Sequence, residues 1–410
     1  PEHTNWDLTS FRKNQAEDIQ IVADGPTRES AVIVYDNGEG QHPERFEDTF
    51  LSLMRGNKNE IHFVQGKYNM GGSGAIVFCG KKGYQLIASK RYDRSGRFGF
   101  TLVREHPLSK SEHETKKNTW YEYLKIDGNI PSFDIDELDL KLSGRKFKTG
   151  TIIKLYSYQM KGIYGFAQEL SQSLNEFLFK PVLPFLTVDK KERYPNNPVL
   201  EATVFGLQRR LEEEKDYVED YFSEEYKDEL FGRMKVTCYV FRAKQEGKTV
   251  KDTKDDIKRR YFKNGMSVLF SMNGQVHGHY SSAFISQSLK LNLLKDYLLI
   301  NVDCSYMKYE FRKELFMASR DRLRAGDESI ALREYLKKKL MKSKLDEINK
   351  RRKDSIGFES EDTSELIKSF AKNLPKDTEL FKLLQDTLKL DEKKKDVEKN
   401  KSTTNPAKGK

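Results

Sequence analysis

Two glycine-rich segments set the terms on which this chain can fold. Asp36-Asn37-Gly38-Glu39-Gly40 directly follows the apolar run 31–35, and Gly66-Lys67-Tyr68-Asn69-Met70-Gly71-Gly72-Ser73-Gly74 directly precedes the apolar run 75–79. Glycine accepts positive φ and lets backbone approach a bound molecule closely, because it carries no Cβ. Either segment alone is an ordinary turn or loop. In this order and spacing they point to a nucleotide site, with a strand ending in a carboxylate and a glycine loop feeding an apolar element. Two common phosphate loops do not fit. A P-loop requires Lys followed by Ser or Thr after GxxxxG, and Gly80-Lys81-Lys82-Gly83 fails that test. The dinucleotide fingerprint needs GxGxxG between strand and helix, whereas Gly72-Ser73-Gly74 runs into Ala75-Ile76-Val77.

The pattern around these segments predicts an α/β sandwich with a mainly antiparallel sheet. Residues 1–30 are polar and turn-rich apart from 19–22. Strand-like runs, rich in β-branched and aromatic residues, follow at 31–35, 84–89, 98–104, 120–126 and 151–156. Helices are expected over 44–54 and 74–79. The texture then changes. Residues 164–179 carry apolar side chains at helical spacing, and Pro181 and Pro184 break the chain after them. Strands at 234–242, 266–272 and 298–304, with helices at 200–215 and 282–294, suggest a second α/β domain. Within it, 243–260 is rich in lysine and aspartate and reads as a surface loop. Beyond Gly326 the pattern becomes helical. Ile330, Leu332, Leu336, Leu340, Leu345 and Ile348 form a candidate buried stripe, with Lys337–Lys339 and residues 351–353 outside. A further helix is expected over 363–374, and from 391 the lysine-rich tail reads as disordered.

Composition narrows the class. A chain of 410 residues suits two or three domains. Its 73 basic and 63 acidic residues give a net charge of +10, which permits nucleic-acid binding without requiring it. Cys79, Cys238 and Cys304 are odd in number and far apart, so neither a disulfide framework nor a zinc site is indicated. A reducing, cytoplasmic setting is expected, with no membrane association, since no apolar run approaches a bilayer-spanning length.

The paired segments resemble the GHKL ATPases: gyrase B, the heat-shock-90 chaperones, histidine kinases and MutL, with the MORC proteins as relatives. Their motifs are DxGxG and a GxxGxG-like loop; here the second reads GxxxxGGSG. The resemblance implies that Asp36 accepts a hydrogen bond from the adenine amine and that Gly38 and Gly40 let backbone pass the base. It implies a phosphate lid from Gly66, Gly71, Gly72 and Gly74, with Lys67 and Ser73 as added donors, leading into a helix N-terminus. Thr149-Gly150-Thr151-Ile152-Ile153-Lys154-Leu155 is similar to the family's late Gly-Thr strand, which would bring Thr151 to the adenine through water. The segment from Ile300 through Asp303, Lys308 and Glu310 to Arg312 resembles the MutL transducer segment that carries a γ-phosphate-sensing lysine, at Lys308 here. The family's proline before that lysine is missing. Met272-Asn273-Gly274 resembles a turn of the same domain, and Arg320, Arg322 and Arg324 are alternative cations.

By this resemblance the chain is α+β. A Bergerat-type ATP-binding α/β sandwich (1–163) precedes a ribosomal-protein-like α/β transducer domain (164–325), a helical C-terminal extension (326–390) and the tail (391–410). The family's first helix carries a water-activating glutamate and a Mg²⁺-binding asparagine, and no ExxxN precedes Asp36. Asn14 and Glu17 stand in the wrong order, so truncation before Pro1 is the expected reason and no catalytic base is assigned. The implied activity is an ATP hydrolase using ATP and Mg²⁺. It would work as an ATP-gated homodimeric clamp acting on DNA, with a partner protein of the same system, in prokaryotic genome maintenance or antiviral defence. The alternatives are a heat-shock-90-like chaperone and a degenerate nucleotide-sensing module without hydrolysis.

Overall fold

Residues 19–36 build the centre of a sheet from two short strands of strongly apolar sequence. β1 (Ile19–Asp24) and β2 (Ala31–Asp36) pair antiparallel, with Gly25 at φ 72 in the connection. The computed structural model describes residues 8–52 and 74–356, apart from 81–82, 94, 117, 160–165, 191–195, 197–199, 214–216, 263–264, 318 and 321. Further strands are β3 (Gln85–Lys90), β4 (Phe98–Glu105), β5 (Tyr121–Tyr123), β6 (Ser132–Phe133), β7 (Leu138–Leu142), β8 (Arg145–Phe147), β9 (Gly150–Leu155), β10 (Phe185–Asp189) and β11 (Glu201–Val204). Nine of them form one sheet in the order β11-β10-β1-β2-β9-β3-β4-β5, with β6 beside β4. Only β1 and β10 run parallel; the other neighbours are antiparallel. Strand side chains alternate between faces. Val32, Ile87, Val103 and Leu155 therefore pack on one face with Phe46 and Ile76, while Ile33, Tyr35, Ala88 and Ile152 pack on the other with Phe98 and Phe147.

The structure corrects several local expectations in this half. Residues 44–52 form no α-helix: a 3₁₀ turn at Pro43–Arg45 gives way to further turns. The Thr49 hydroxyl takes the Arg45 carbonyl at 2.7 Å, and Leu51 N reaches back to Phe46 O at 3.0 Å. Phe46 O thus accepts from Thr49 N and Leu51 N, three and five residues on, not from residue 50 as an α-helix requires. The run expected as a helix at 74–79 is helical over 74–78, α-helical at Gly74 and Ala75 and 3₁₀ at Ile76–Phe78. The expected helix 200–215 is divided: Glu201–Val204 is strand β11, and only Leu207–Glu212 is helical. Gly206 separates the two at φ 94, and a Cβ there would lie 2.3 Å from the Pro181 ring. The first sheet thereby takes in β10 and β11, whose residues the sequence reading places in the following domain. β10 is buried at every position, as suits an apolar strand parallel to its neighbour. The run 1–30 holds a helix at Leu8–Ala16 as well as β1.

A second sheet has the order β12-β13-β16-β14-β15, from β12 (Val218–Asp228), β13 (Gly232–Phe241), β14 (Met266–Met272), β15 (Gln275–Ser281) and β16 (Leu298–Asp303). The segment read as a loop, 243–260, contains an α-helix at Val250–Tyr261. Thr249 caps it by accepting from Asp252 N, and Thr253, Ile257 and Tyr261 are buried one turn apart. Its charges hid that stripe. The run 282–294 is not one helix but a π turn (Phe284–Ser288) and a 3₁₀ turn (Asn292–Leu294). Helix Asp327–Leu340 buries Leu332, Leu336 and Leu340, whereas Ile330 is 63% exposed because it lies off their i, i+4 spacing. The chain divides into two units after Met341. In the second unit helix Leu345–Ile356 buries Leu345 and Ile348, and also Arg352, which was expected outside. The expected helix 363–374 and the tail lie outside the described residues. Among the described residues no helix is long and apolar enough to cross a membrane.

A charged clasp ties the middle of the first sheet together. The Asp24 carboxylate, at the end of β1, accepts from Lys154 Nζ of β9 at 2.7 Å and from Lys190 Nζ just past β10 at 2.9 Å. Burial pushes its pKa upward, but hydrogen bonds and charge from the two lysines outweigh that and hold it at about 2. The folded-state value is below the unfolded one, so this stabilisation is present above about pH 4 and fades as pH falls toward 2. Allowing for solvent screening, Asp24→Asn is expected to cost about 1–2 kcal/mol at pH 7. In urea melts the loss should shrink between pH 4 and pH 2; an equal loss at both would remove the clasp from the account.

Candidate nucleotide-binding site

The carboxyl end of β2 and the start of β9 bring the predicted adenine residues together. Asp36 pairs in register with Thr151, and Thr151 with Ser89 at the end of β3. Alternation puts all three side chains on the face that carries Val32, Ile87 and Leu155. One step along the strands lies a matching apolar row, Ile21, Val34, Ile153 and Ile87, each the cross-strand partner of the next. Val34 is 36% exposed although β2 is an interior strand. Asp36 beside the exposed Val34 offers a flat ring an apolar contact and a hydrogen-bonding edge, as small-molecule sites do.

The turn after β2 is held from both sides. Gly38 N donates to Asp36 Oδ1 at 2.9 Å, and a Cβ on Gly38 would lie 2.5 Å from that oxygen. Gly40 has φ 65, and a Cβ there would fall 2.0 Å from the Lys90 carbonyl oxygen. Gly150 has φ 101, with a Cβ position only 1.8 Å from the Asp36 carbonyl oxygen. Only glycine lets these strands close on one another at those points. Asn37 fastens the turn further: its Nδ2 donates to Asp18 Oδ1 at 2.9 Å and its Oδ1 accepts from Thr149 Oγ1 at 3.3 Å. Arg91 pairs with Glu39 and, at 3.3 Å, with Asp93.

Ser89 is the residue the sequence reading missed. Its hydroxyl donates to Gly150 O at 2.8 Å, accepts from Gln41 N at 2.9 Å and lies 3.3 Å from Thr151 Oγ1. It joins both glycine turns to the hydroxyl expected at the adenine. No motif marks it, because its proximity comes from strand pairing alone; the one signal in sequence is a polar residue closing the apolar run 84–89.

The remaining predicted residues are not gathered at this point. Gly66, Lys67, Gly71, Gly72 and Ser73 lie outside the described residues. Gly74 leads into the turn Ile76–Phe78, and a Cβ on it would meet nothing within 4 Å. Lys308 precedes helix Tyr309–Leu315, and its contacts lie within the second sheet: its ammonium donates to Glu229 O and its amide to Phe231 O at 2.8 Å. Asn273 and Gly274 form the β14–β15 turn at φ 50 and 78, with Asn273 N donating to Ser305 Oγ at 2.9 Å. Arg320 donates to Gln275 Oε1, and Arg324 pairs with Glu314 at 2.9 Å. Arg322 sits in the same segment.

Two glycine cradles and the Asp36 carboxylate stand beside the partly exposed Val34. Among the described residues no group of three His, Cys, Asp or Glu side chains could hold a metal ion. Asn14 lies in the last turn of helix Leu8–Ala16, and Glu17 directly follows it. A separate cavity of about 1200 Å³ opens at the opposite ends of β3 and β9, beside Tyr84 and Tyr156. Its Arg104 and Lys125 are already paired with Glu122 and Glu47, so it offers no comparable set of directed groups. Comparison of the sequence with protein-family models found no match, and comparison with curated proteins found none either.

Proposed function

We propose that the chain is a GHKL-type ATP-binding ATPase whose first sheet is a Bergerat-type sandwich. In this reading it acts as an ATP-gated dimeric clamp on DNA, in genome maintenance or antiviral defence. The observation that carries the reading is the Asp36, Thr151 and Ser89 row set against the exposed Val34. Asp36 accepts from the adenine amine, Thr151 supplies a hydroxyl at the same edge with the buried Ser89 holding it from behind, and Gly38 and Gly40 keep the approach clear. The second sheet serves as the ribosomal-protein-like transducer, and Lys308 senses the γ-phosphate by leaving the Glu229 carbonyl. ATP, with Mg²⁺ on its phosphates, then closes two copies, and hydrolysis reopens them. The ligand shifts the equilibrium only by its differential affinity for the closed form.

Sedimentation with and without a non-hydrolysable ATP analogue tests the clamp. The expected result is a shift from the lower to the higher oligomer on addition of the analogue. An unchanged distribution at saturating analogue would remove the clamp while leaving nucleotide binding intact.

A further inference from the structure

We infer that the groove between helix Phe166–Phe177, β11 and helix Val250–Tyr261 binds the phosphodiester backbone of duplex DNA. The inference rests on the clamp reading only for the choice of DNA over another polyanion. The groove, about 450 Å³, is lined by Arg210, Arg259 and Arg260, with no carboxylate among its described lining residues. Its floor is neutral and internally satisfied. Ser171 and Asn175 are 8% and 4% exposed; Asn175 Nδ2 donates to Ser171 O at 2.8 Å, and its Oδ1 accepts from Gly206 N at 3.0 Å. Nothing in that floor calls for an anion, so the charge of the rim sets what the groove attracts.

Two of the three arginines lie against rings. Arg260 lies 5.1 Å from the centre of the Tyr217 ring and Arg210 5.1 Å from that of Tyr261, while the neighbouring Arg209 covers Phe205 at 3.9 Å. Arg210 Nη1 also donates to Arg260 O at 3.2 Å. Arginines at the ends of helices are explained in part by the helix dipole. That accounts for each one singly, not for their convergence from two helices on one groove. Asp256 pairs with Arg259, but it also pairs with Lys248 at 2.6 Å, so that carboxylate is shared between two cations. Duplex is favoured over single strand because Tyr217 and Tyr261 are buried and Phe205 lies under Arg209. Single-strand binding needs uncovered rings on which bases can stack. Backbone contacts of this kind carry no sequence information.

The test is fluorescence anisotropy of the whole chain with a labelled duplex oligonucleotide across a salt series. Each lost phosphate contact lowers the log–log salt slope by about 0.9. The Arg259→Gln/Arg260→Gln pair is expected to reduce that slope by about 2 and weaken binding at least tenfold near 0.1 M salt. The Arg259→Lys/Arg260→Lys pair, which restores charge, should recover most of the slope, and this separates charge from damage to the fold. ATP binding measured on the same samples should be unchanged, so failure of the groove and failure of the nucleotide site read out separately. Three outcomes overturn the inference: no duplex binding by the unaltered chain, an unchanged slope in the glutamine pair, or tighter binding of single strands than of duplex. Loss on Lys338→Gln/Lys339→Gln with none in the groove variant would move the site to helix Asp327–Leu340.

Discussion

Replacing Asp36 by asparagine is expected to weaken Mg²⁺-ATP binding by roughly ten- to a hundredfold while leaving the fold in place. A hydrogen bond to a charged group contributes about 1.5–3 kcal/mol, and each 1.4 kcal/mol is tenfold in affinity. The amide also presents a donor where the adenine amine presents one. The backbone should tolerate the change, because an asparagine oxygen can still accept from Gly38 N, as Asp36 Oδ1 does at 2.9 Å. Titration calorimetry with a urea melt on the same variant separates the two effects. Equal affinity in both proteins would place the adenine elsewhere.

Gly150→Ala is expected to be the most damaging single methyl in the site. The added Cβ would stand 1.8 Å from the Asp36 carbonyl oxygen and 2.9 Å from Gly38 N, at a backbone φ of 101. Relief requires β9 to move away from β2, which breaks the Asp36–Thr151 register. A loss of about 3 kcal/mol or more in urea melts is expected, from steric conflict and left-handed strain together. Gly74→Ala is the matched control, since its Cβ position meets nothing within 4 Å. It should change stability by no more than about 0.5 kcal/mol. Comparable losses for the two would mean that β2 and β9 do not approach as described.

What could be read in the sequence divides along a physical line. The placement of Asp36, Gly38, Gly40 and Thr151 at strand ends and turns was legible because turn chemistry is local, and the strands carrying them are short apolar runs between turn signals. Ser89 was not, because its place beside Gly150 and Thr151 comes from pairing between β3 and β9, which no local pattern encodes. Helix Val250–Tyr261 was hidden by its charges: one buried turn-spaced stripe, Thr253, Ile257 and Tyr261, suffices to fix it against a core. The helix expected over 200–215 failed for the opposite reason. Its apolar spacing suited a helix, but Gly206 against the Pro181 ring divides it and frees Glu201–Val204 to extend the sheet. The contact of Lys308 with the Glu229 carbonyl was not legible either, because Glu229 sits in the β12–β13 turn far away in the chain.

The most direct measurement is calorimetry of the unaltered chain with Mg²⁺-ATP and, in parallel, Mg²⁺-GTP. Guanine places a carbonyl oxygen where adenine has its amine, so Asp36 would face an acceptor and lose its hydrogen bond. Saturable ATP binding is expected, with GTP at least about tenfold weaker because Asp36 then meets an acceptor. Failure to bind ATP, or equal binding of the two, would contradict an adenine site at Asp36.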